Sequence, residues 1–272
     1  MAKENYVFIT GQVCSKPKIL LSNEGEPLKA SLLIKTIRRH YVRPNLKVTN
    51  NGSLFDVVPV TTANQDCIRT CMGIQENDIV ELKGVYTTKE VRKKYYCQSC
   101  GKLNAIEGVT TFVTPIYLCV MKRAKSTAYP DGYDIKESGQ ILRDKAEISN
   151  TIKIIGTLCR NPEKIVNVKQ ASAQYQIASN RRFHIKEDDP NARTDYPWVK
   201  SFGPQAEVDF QVLHTGSVVY IDGCIQSRQI KRKPTCEYCD SENTIDDVAY
   251  EIVPYSVEYL SNCNIPESDD SD

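Results

Sequence analysis

Shifted along itself, the chain repeats. Cys97 and Cys100 fall on Cys236 and Cys239 at a separation of 139 positions. The same shift carries Gly84 to Gly223, Arg92 to Lys231, Lys94 to Lys233, Ile106 to Ile245 and Pro115 to Pro254. Nearer the N-terminus the separation grows slightly, as loop insertions make it: Gly11 lies over Gly156, Cys14 over Cys159, Pro17 over Pro162, and Arg38 and Arg39 over Arg181 and Arg182. Ordered agreement along the whole length marks a duplicated unit, and that governs every later inference. The 272 residues then divide into two domains of ordinary size. Their expected bounds are 1–123 and 150–263, with a polar, turn-rich linker at 124–149 and a short acidic tail at 264–272.

Within each half the apolar residues recur mostly with period two, the spacing of half-buried strands. "NYVFITGQV" and "NTIKIIGTL" open the halves, "SLLIKTI" and "AQYQIAS" follow, and "LFDVVPV" and "WVKSF" come third. "ANQDCIRTCMG" and "GPQAEVDFQVLHTG" break the alternation and are predicted to be short helices ending at Gly73 and Gly216. Two further strands close each half, joined by a long hairpin with the C-x-x-C at its tip. Three strands, a helix and two strands predict an all-β chain of two tandem five-stranded Greek-key barrels of the OB type, each hairpin ending in a zinc-knuckle-like tip.

In the second half, "TIKIIGTLCRNPEKI", "YQIASNRRF", "WVKSFGPQAE", "GSVVYIDGCIQSR" and "YEIVPYSVEYL" stand in the order and spacing of bacterial-type single-stranded DNA-binding proteins. The chain resembles that family over nearly all of residues 150–260, and the first half is assigned through the repeat. The resemblance implies binding of single-stranded DNA without sequence readout, by bases stacking on aromatics and cations tracking phosphates. It places stacking aromatics at Phe183, Tyr196 and Phe202, and another in the hairpin where Ile230 now stands. The family usually gathers four barrels, which implies a homodimer here, although a tandem pair could also stop as an internal pseudo-dimer. The acidic end "PESDDSD" resembles a tail that recruits replication and repair proteins, but lacks the apolar residue that usually ends it.

The residues themselves support a strand-binding face. Arg181 and Arg182 stand beside Phe183, and the two-residue period puts Tyr196, Trp198, Lys200 and Phe202 on one side, with Val199 and Ser201 on the other. The rival reading makes the aromatics core; Lys200 on the same side argues for an open face, because lysine is rarely buried. Lys231 and Arg232 continue a basic run in the second hairpin, matched by 92–94 in the first. A charge run is also what a plain solvated face looks like. The first half keeps Arg38, Arg39 and, one residue beyond the counterpart of Phe183, Tyr41, and is expected to add phosphate contacts or serve assembly. An offset of 142 between third strands sets Leu54 under Tyr196, Asp56 under Trp198, Val58 under Lys200 and Val60 under Phe202, so the first half loses its platforms and carries a repelling carboxylate.

Eleven cysteines in a chain with no signal-peptide pattern suggest a cytoplasmic protein with reduced thiols, where clustered pairs point to metal. Cys97, Cys100, Cys236 and Cys239 supply the four ligands of a structural zinc site if the two hairpin tips meet, within one chain or between chains. Cys67 and Cys71, four apart on the first helix, are the rival ligands; the other cysteines suit buried strand positions. A net charge of +1 announces no nucleic-acid binder globally. No run of about 18 apolar residues exists to span a bilayer. No H-E-x-x-H, P-loop or Gly-x-Ser-x-Gly motif occurs, so no enzyme is expected. Two alternatives remain: a replication or primosome protein that uses its barrels for protein contacts, and a single-stranded RNA binder, since stacking does not read the 2′-hydroxyl.

Overall fold

The computed structural model describes residues 3–38, 54–165, 171–185 and 193–264. In chain order its strands are β1 (Asn5–Val13), β2 (Lys18–Leu21), β3 (Pro27–Ile37), β4 (Phe55–Thr62), β5 (Ile79–Tyr96) and β6 (Leu103–Lys122), then β7 (Asn150–Leu158), β8 (Glu163–Lys164), β9 (Ser172–Asn180), β10 (Thr194–Asp195), β11 (Trp198–Phe202), β12 (Val218–Arg232) and β13 (Ile245–Ser261). Helix α1 (Gln65–Gly73) follows β4, α2 (Ser138–Asp144) and α3 (Ala146–Ser149) precede β7, and α4 (Pro204–Val212) follows β11.

The strand pairings trace closed circuits. β1 pairs β5, β5 pairs β6, β6 pairs β4 in parallel at Val60↔Val113, β4 pairs β3, and β3 returns to β1 at Val13↔Ile34. This is a closed five-stranded β-barrel. The later strands run through the corresponding circuit, β7–β12–β13–β11–β9–β7, with its parallel step at Val199↔Ile252. Closure needs β1 and β7 to bend sharply where their partners change, and glycine permits it. A Cβ on Gly11 would lie 2.3 Å from Ile34 Cγ2 and 2.6 Å from the Lys35 carbonyl; on Gly156 it would lie 2.7 Å from Ile177 Cδ1.

The halves join edge to edge. β1 and β7 pair antiparallel from Asn5↔Ile154 to Ile9↔Asn150, centred on Val7↔Ile152. At the N-terminal spacing of the repeat Val7 and Ile152 are equivalents, so the register has internal two-fold symmetry. One apolar cluster runs through both halves, including Val7, Ile9, Val60, Tyr86, Ile152, Ile154, Val199 and Ile225.

Helix α1 ends at Gly73 as the sequence indicates, and only α4 departs from that reading. Asn64 caps α1, its Oδ1 accepting the N–H groups of Asp66 and Cys67 (2.9 and 3.1 Å). Gly216 does not terminate α4; it lies four residues beyond, in a turn where φ is +91°. The polar segment 124–149 is folded, not an open linker. Leu142 and Ala146 pack against Ile37, Phe55 and Ile79 in a second small core, and burying one leucine completely is worth about 1.5–3 kcal/mol. Among the described residues no helix is long and apolar enough to cross a membrane.

Candidate nucleic-acid interface and cysteine cluster

β11 alternates as its sequence demands. Val199 and Ser201 point into the barrel and are fully buried, while Tyr196, Trp198, Lys200 and Phe202 share the outer side. Tyr196 is exposed and Trp198 and Phe202 half-buried. Two cations lie over these rings: the Arg160 guanidinium 5.1 Å from the Trp198 centroid and Lys200 Nζ 5.5 Å from that of Phe202. Gln176 stands across from Trp198 and Gln174 across from Lys200 on β9. Lys200 does not mark an open surface as expected. It is only 8% exposed, because its methylenes lie between flanking aromatic positions while the ammonium covers a ring. Arg182 and Phe183 form a similar pair at the end of β9, 5.9 Å from guanidinium to centroid, and the Glu4 carboxylate lies 3.7 Å from Arg182.

The structure corrects the role of Arg181. Adjacent residues of an extended chain point opposite ways, and Arg181 points inward, where Nε and Nη2 donate to the fully buried Asp195 at 2.5 and 2.7 Å. Arg38 makes the equivalent bidentate pair with Asp56, at 2.6 and 2.7 Å. Both arginines are thus committed to interior carboxylates. Each carboxylate also reaches into the other half: Thr88 N–H donates to Asp195 Oδ1, and Ser227 N–H to Asp56 Oδ1, both at 2.8 Å. Asp56 therefore faces no phosphate backbone. The third strands align at 139, not 142, as the matched parallel steps of Val60 and Val199 require. Val57, Pro59, Thr61 and Ala63 then stand where the second half has Tyr196, Trp198, Lys200 and Phe202, so the first-half row carries no aromatic. Arg39 and Tyr41 lie outside the described residues, as does nearly all of the acidic tail.

In the hairpin arms much of the basic charge is matched. Arg232 Nε and Lys93 Nζ both lie 2.6 Å from Asp247, Arg92 pairs with Glu107 at 3.1 Å, and Lys233 with Glu242 at 3.2 Å. Lys231 is exposed, across from Asp246. Burial of Asp247 works against its charge, but bonds from Lys93, the Val248 N–H and Arg232 outweigh it and hold the carboxyl below its ordinary range.

At the arm tips, Cys97, Cys100, Cys236 and Cys239 converge within one chain, all four Sγ within 4.8 Å of one another. The contacts cross between hairpins: Cys97 to Cys239 and Cys100 to Cys236, each 3.7 Å. The Ser241 hydroxyl lies 3.3 Å from Cys97 Sγ and 3.1 Å from Cys239 Sγ. Bonds from Ser241 and the Cys100 N–H lower the Cys97 thiol to about 5, and the Ser241 hydroxyl and N–H also lower Cys239. The Lys102 N–H works to lower Cys100 too, but desolvation and its bonds to the other three thiols outweigh it and raise Cys100 to about 11. Cys67 and Cys71 instead lie in the core, where burial pushes Cys71 up to about 12. That environment disfavours the thiolate a metal needs. Sequence reasoning missed Arg160 and the paired aspartates. Asp56 and Asp195 do stand 139 apart like the cysteines, so the repeat itself held that signal.

Barrel closure, the hairpin arms and an aromatic row on an outer strand define a barrel of the OB type. Residues 149–248 match the single-strand binding protein family. Two curated relatives, the single-stranded DNA-binding proteins of Neisseria meningitidis serogroup A (strain Z2491) and serogroup B (strain MC58), are each 27% identical over 116 residues. The match takes in 42% of this chain and spans 62% of the length of those relatives. The crystal structure of wild-type single-stranded DNA-binding protein from Thermus aquaticus shares the fold, with TM-score 0.59 and 11% identity over 96% of this chain and 95% of that one. A deletion mutant of the same protein gives 0.57 and 13% over 98% and 100%. The likeness of fold extends through both halves, and the likeness of sequence lies in the second.

Proposed function

We propose that the chain is a non-catalytic, sequence-independent binder of single-stranded DNA, built as two tandem OB barrels over residues 1–123 and 150–263. The observation that carries this reading is the row of Trp198 and Phe202 on β11 and Tyr196 just before it, with Arg182 and Phe183 nearby in the same half, inside the region that matches the family. Phosphate cations alone would hold duplex as well; flat faces at a solvent-facing edge select unpaired bases. Arg160 and Lys200 lie over two of these rings, so a base that stacks there displaces the cation or takes the ring's other face, and the displaced cation is at hand for a phosphate. The second barrel carries most of the affinity, and the first supplies framework and arm. Protection of single strands during replication, recombination or DNA transfer is the role such binding serves, and a homodimer would gather four barrels.

The test is a fluorescence titration of the full chain with homopolymer DNA, homopolymer RNA and duplex at two salt concentrations. Single strands should bind in a site of roughly 4–16 nucleotides per engaged barrel, with log affinity falling by about 0.7 per neutralised phosphate for each decade of salt. Equal affinity for duplex would overturn the reading, and preference for RNA would reassign the ligand. Sedimentation velocity, which reads two chains per particle for a homodimer, tests the assembly.

A further inference from the structure

We propose that Cys97, Cys100, Cys236 and Cys239 bind one zinc ion within a single chain, and that this ion holds the tips of the two long hairpins together in place of an apolar core. The claim is independent of what the barrels bind. Zinc in a tetrahedral four-thiolate site sits about 2.3 Å from each sulfur, which sets the sulfurs about 3.8 Å apart by the geometry of a tetrahedron. The two pairs between hairpins stand at 3.7 Å, the spacing such a tetrahedron needs.

The tips are built to present thiolates. Each C-x-x-C closes the same turn: Cys97 N–H donates to the Lys102 carbonyl and Gly101 N–H back to Cys97, both at 2.9 Å. In the other hairpin Cys236 N–H donates to Ser241 (2.9 Å) and Asp240 N–H to Cys236 (3.1 Å). The turn needs a left-handed residue, supplied by Gly101 at φ +70° and Asp240 at φ +55°. It aims backbone N–H groups at sulfur: those of Ser99 and Cys100 at Cys97 Sγ (3.4 and 3.5 Å), and that of Tyr238 at Cys236 Sγ (3.4 Å). Such donors stabilise the ligating form and fix its orientation. The tips also cross-brace each other, Asn243 Oδ1 accepting the Gln98 N–H (2.8 Å) and Asn104 Oδ1 that of Glu237 (3.1 Å).

Energetics make the same demand. Along the arms, no residue of 88–94, 105–110, 226–235 or 244–250 is buried. Burial resumes only at the tips, and there it is Tyr95, Cys97, Cys236 and the amides Asn104 and Asn243. Neither apolar cluster reaches these residues. A unit this small with one aromatic ring and two thiols inside requires a staple, and a metal whose binding is coupled to folding supplies one. Four thiolates in a tetrahedron suit zinc or iron. Cys100 and Cys239 are open to solvent, where redox-silent zinc persists and an iron–thiolate centre would be oxidised.

The experiment measures metal content of the full chain by mass spectrometry under native conditions and by elemental analysis, in wild type, Cys100→Ser, Cys239→Ser and the control Cys159→Ser. One zinc per chain is expected in wild type and control, with at least tenfold loss in the other two. Cobalt(II) added to metal-stripped protein should give thiolate-to-cobalt charge-transfer absorption. Hydrogen exchange should rise at 95–104 and 234–244 in the two variants while the barrel strands keep their protection. If the serine variants fail to fold, chelator titration of wild type gives the same reading, with four thiols becoming reactive to alkylation for each zinc released. Zinc-free protein with all four thiols alkylated in the folded state, iron in place of zinc, or one zinc shared between two chains would each overturn the proposal.

Discussion

Asp195 is the residue whose loss should damage this fold most for its size. Its carboxylate is fully buried and accepts two charge-assisted bonds from Arg181, itself only 5% exposed, as well as the Thr88 N–H from the other half. In Asp195→Ala a buried guanidinium loses its carboxylate and a backbone donor in β5 loses its acceptor. Removing one member of a buried ion pair costs about 3–5 kcal/mol, and a stranded buried N–H about 1–3 kcal/mol. The two overlap, so the expected loss is about 4–6 kcal/mol. At a urea slope of about 3 kcal/mol/M the midpoint should fall by about 1.3–2 M, followed by far-UV circular dichroism and Trp198 emission at constant metal content. Asp56→Ala breaks the repeat-related pair, but Arg38 is 15% exposed and regains water, so its cost should be smaller. Arg69→Ala removes an exposed pair with Asp66 and should cost no more than about 1 kcal/mol. The double variant Arg181→Met, Asp195→Leu should recover the ion-pair part of the loss, since apolar residues of similar volume can replace a buried pair, and should keep the part due to the Thr88 N–H, which stays without its acceptor. A midpoint for Asp195→Ala within about 0.3 M of Arg69→Ala, or a larger loss for Asp56→Ala, would refute the reasoning.

Trp198→Ala removes one platform, and base stacking is worth about 1–3 kcal/mol, so affinity for single-stranded DNA should fall about 5- to 150-fold; wild-type Trp198 emission should be quenched by the strand. Pro59→Ala, at the equivalent first-half position, should leave affinity within about twofold. The arms should loosen in acid. Asp247 has a lowered pKa in the folded state, so its contribution is complete above the ordinary carboxylate value of 3.8 and is lost as pH falls through the lowered one. Hydrogen exchange across 89–94 and 228–233, measured against pH, should show that loss, and Asp247→Asn should reduce the pH dependence, leaving what the other carboxylates and the tip thiols contribute.

Alternation and the spacing of the cysteine pairs were legible from residue identity because each is local. A period of two reports a strand whatever it pairs with, and the cysteine pairs recur at one separation. That is why the order of elements, the outer row of β11 and the four cysteines could be read in advance. Register is not local. A slip of an odd number of residues turns every side chain to the opposite face, so aligning the third strands three residues off set Asp56 on the surface, when it is buried across from Thr36 on β3, against Ser227 of the other half and paired with Arg38. Arg181 and Arg182 are identical in sequence terms, and only the buried Asp195 across the β9–β10 pairing decides which turns inward. The sequence likewise left open whether the cysteine pairs meet within a chain. The antiparallel pairing of β1 with β7 decides it, because joining the two halves through these strands lays both hairpins side by side and brings their tips together.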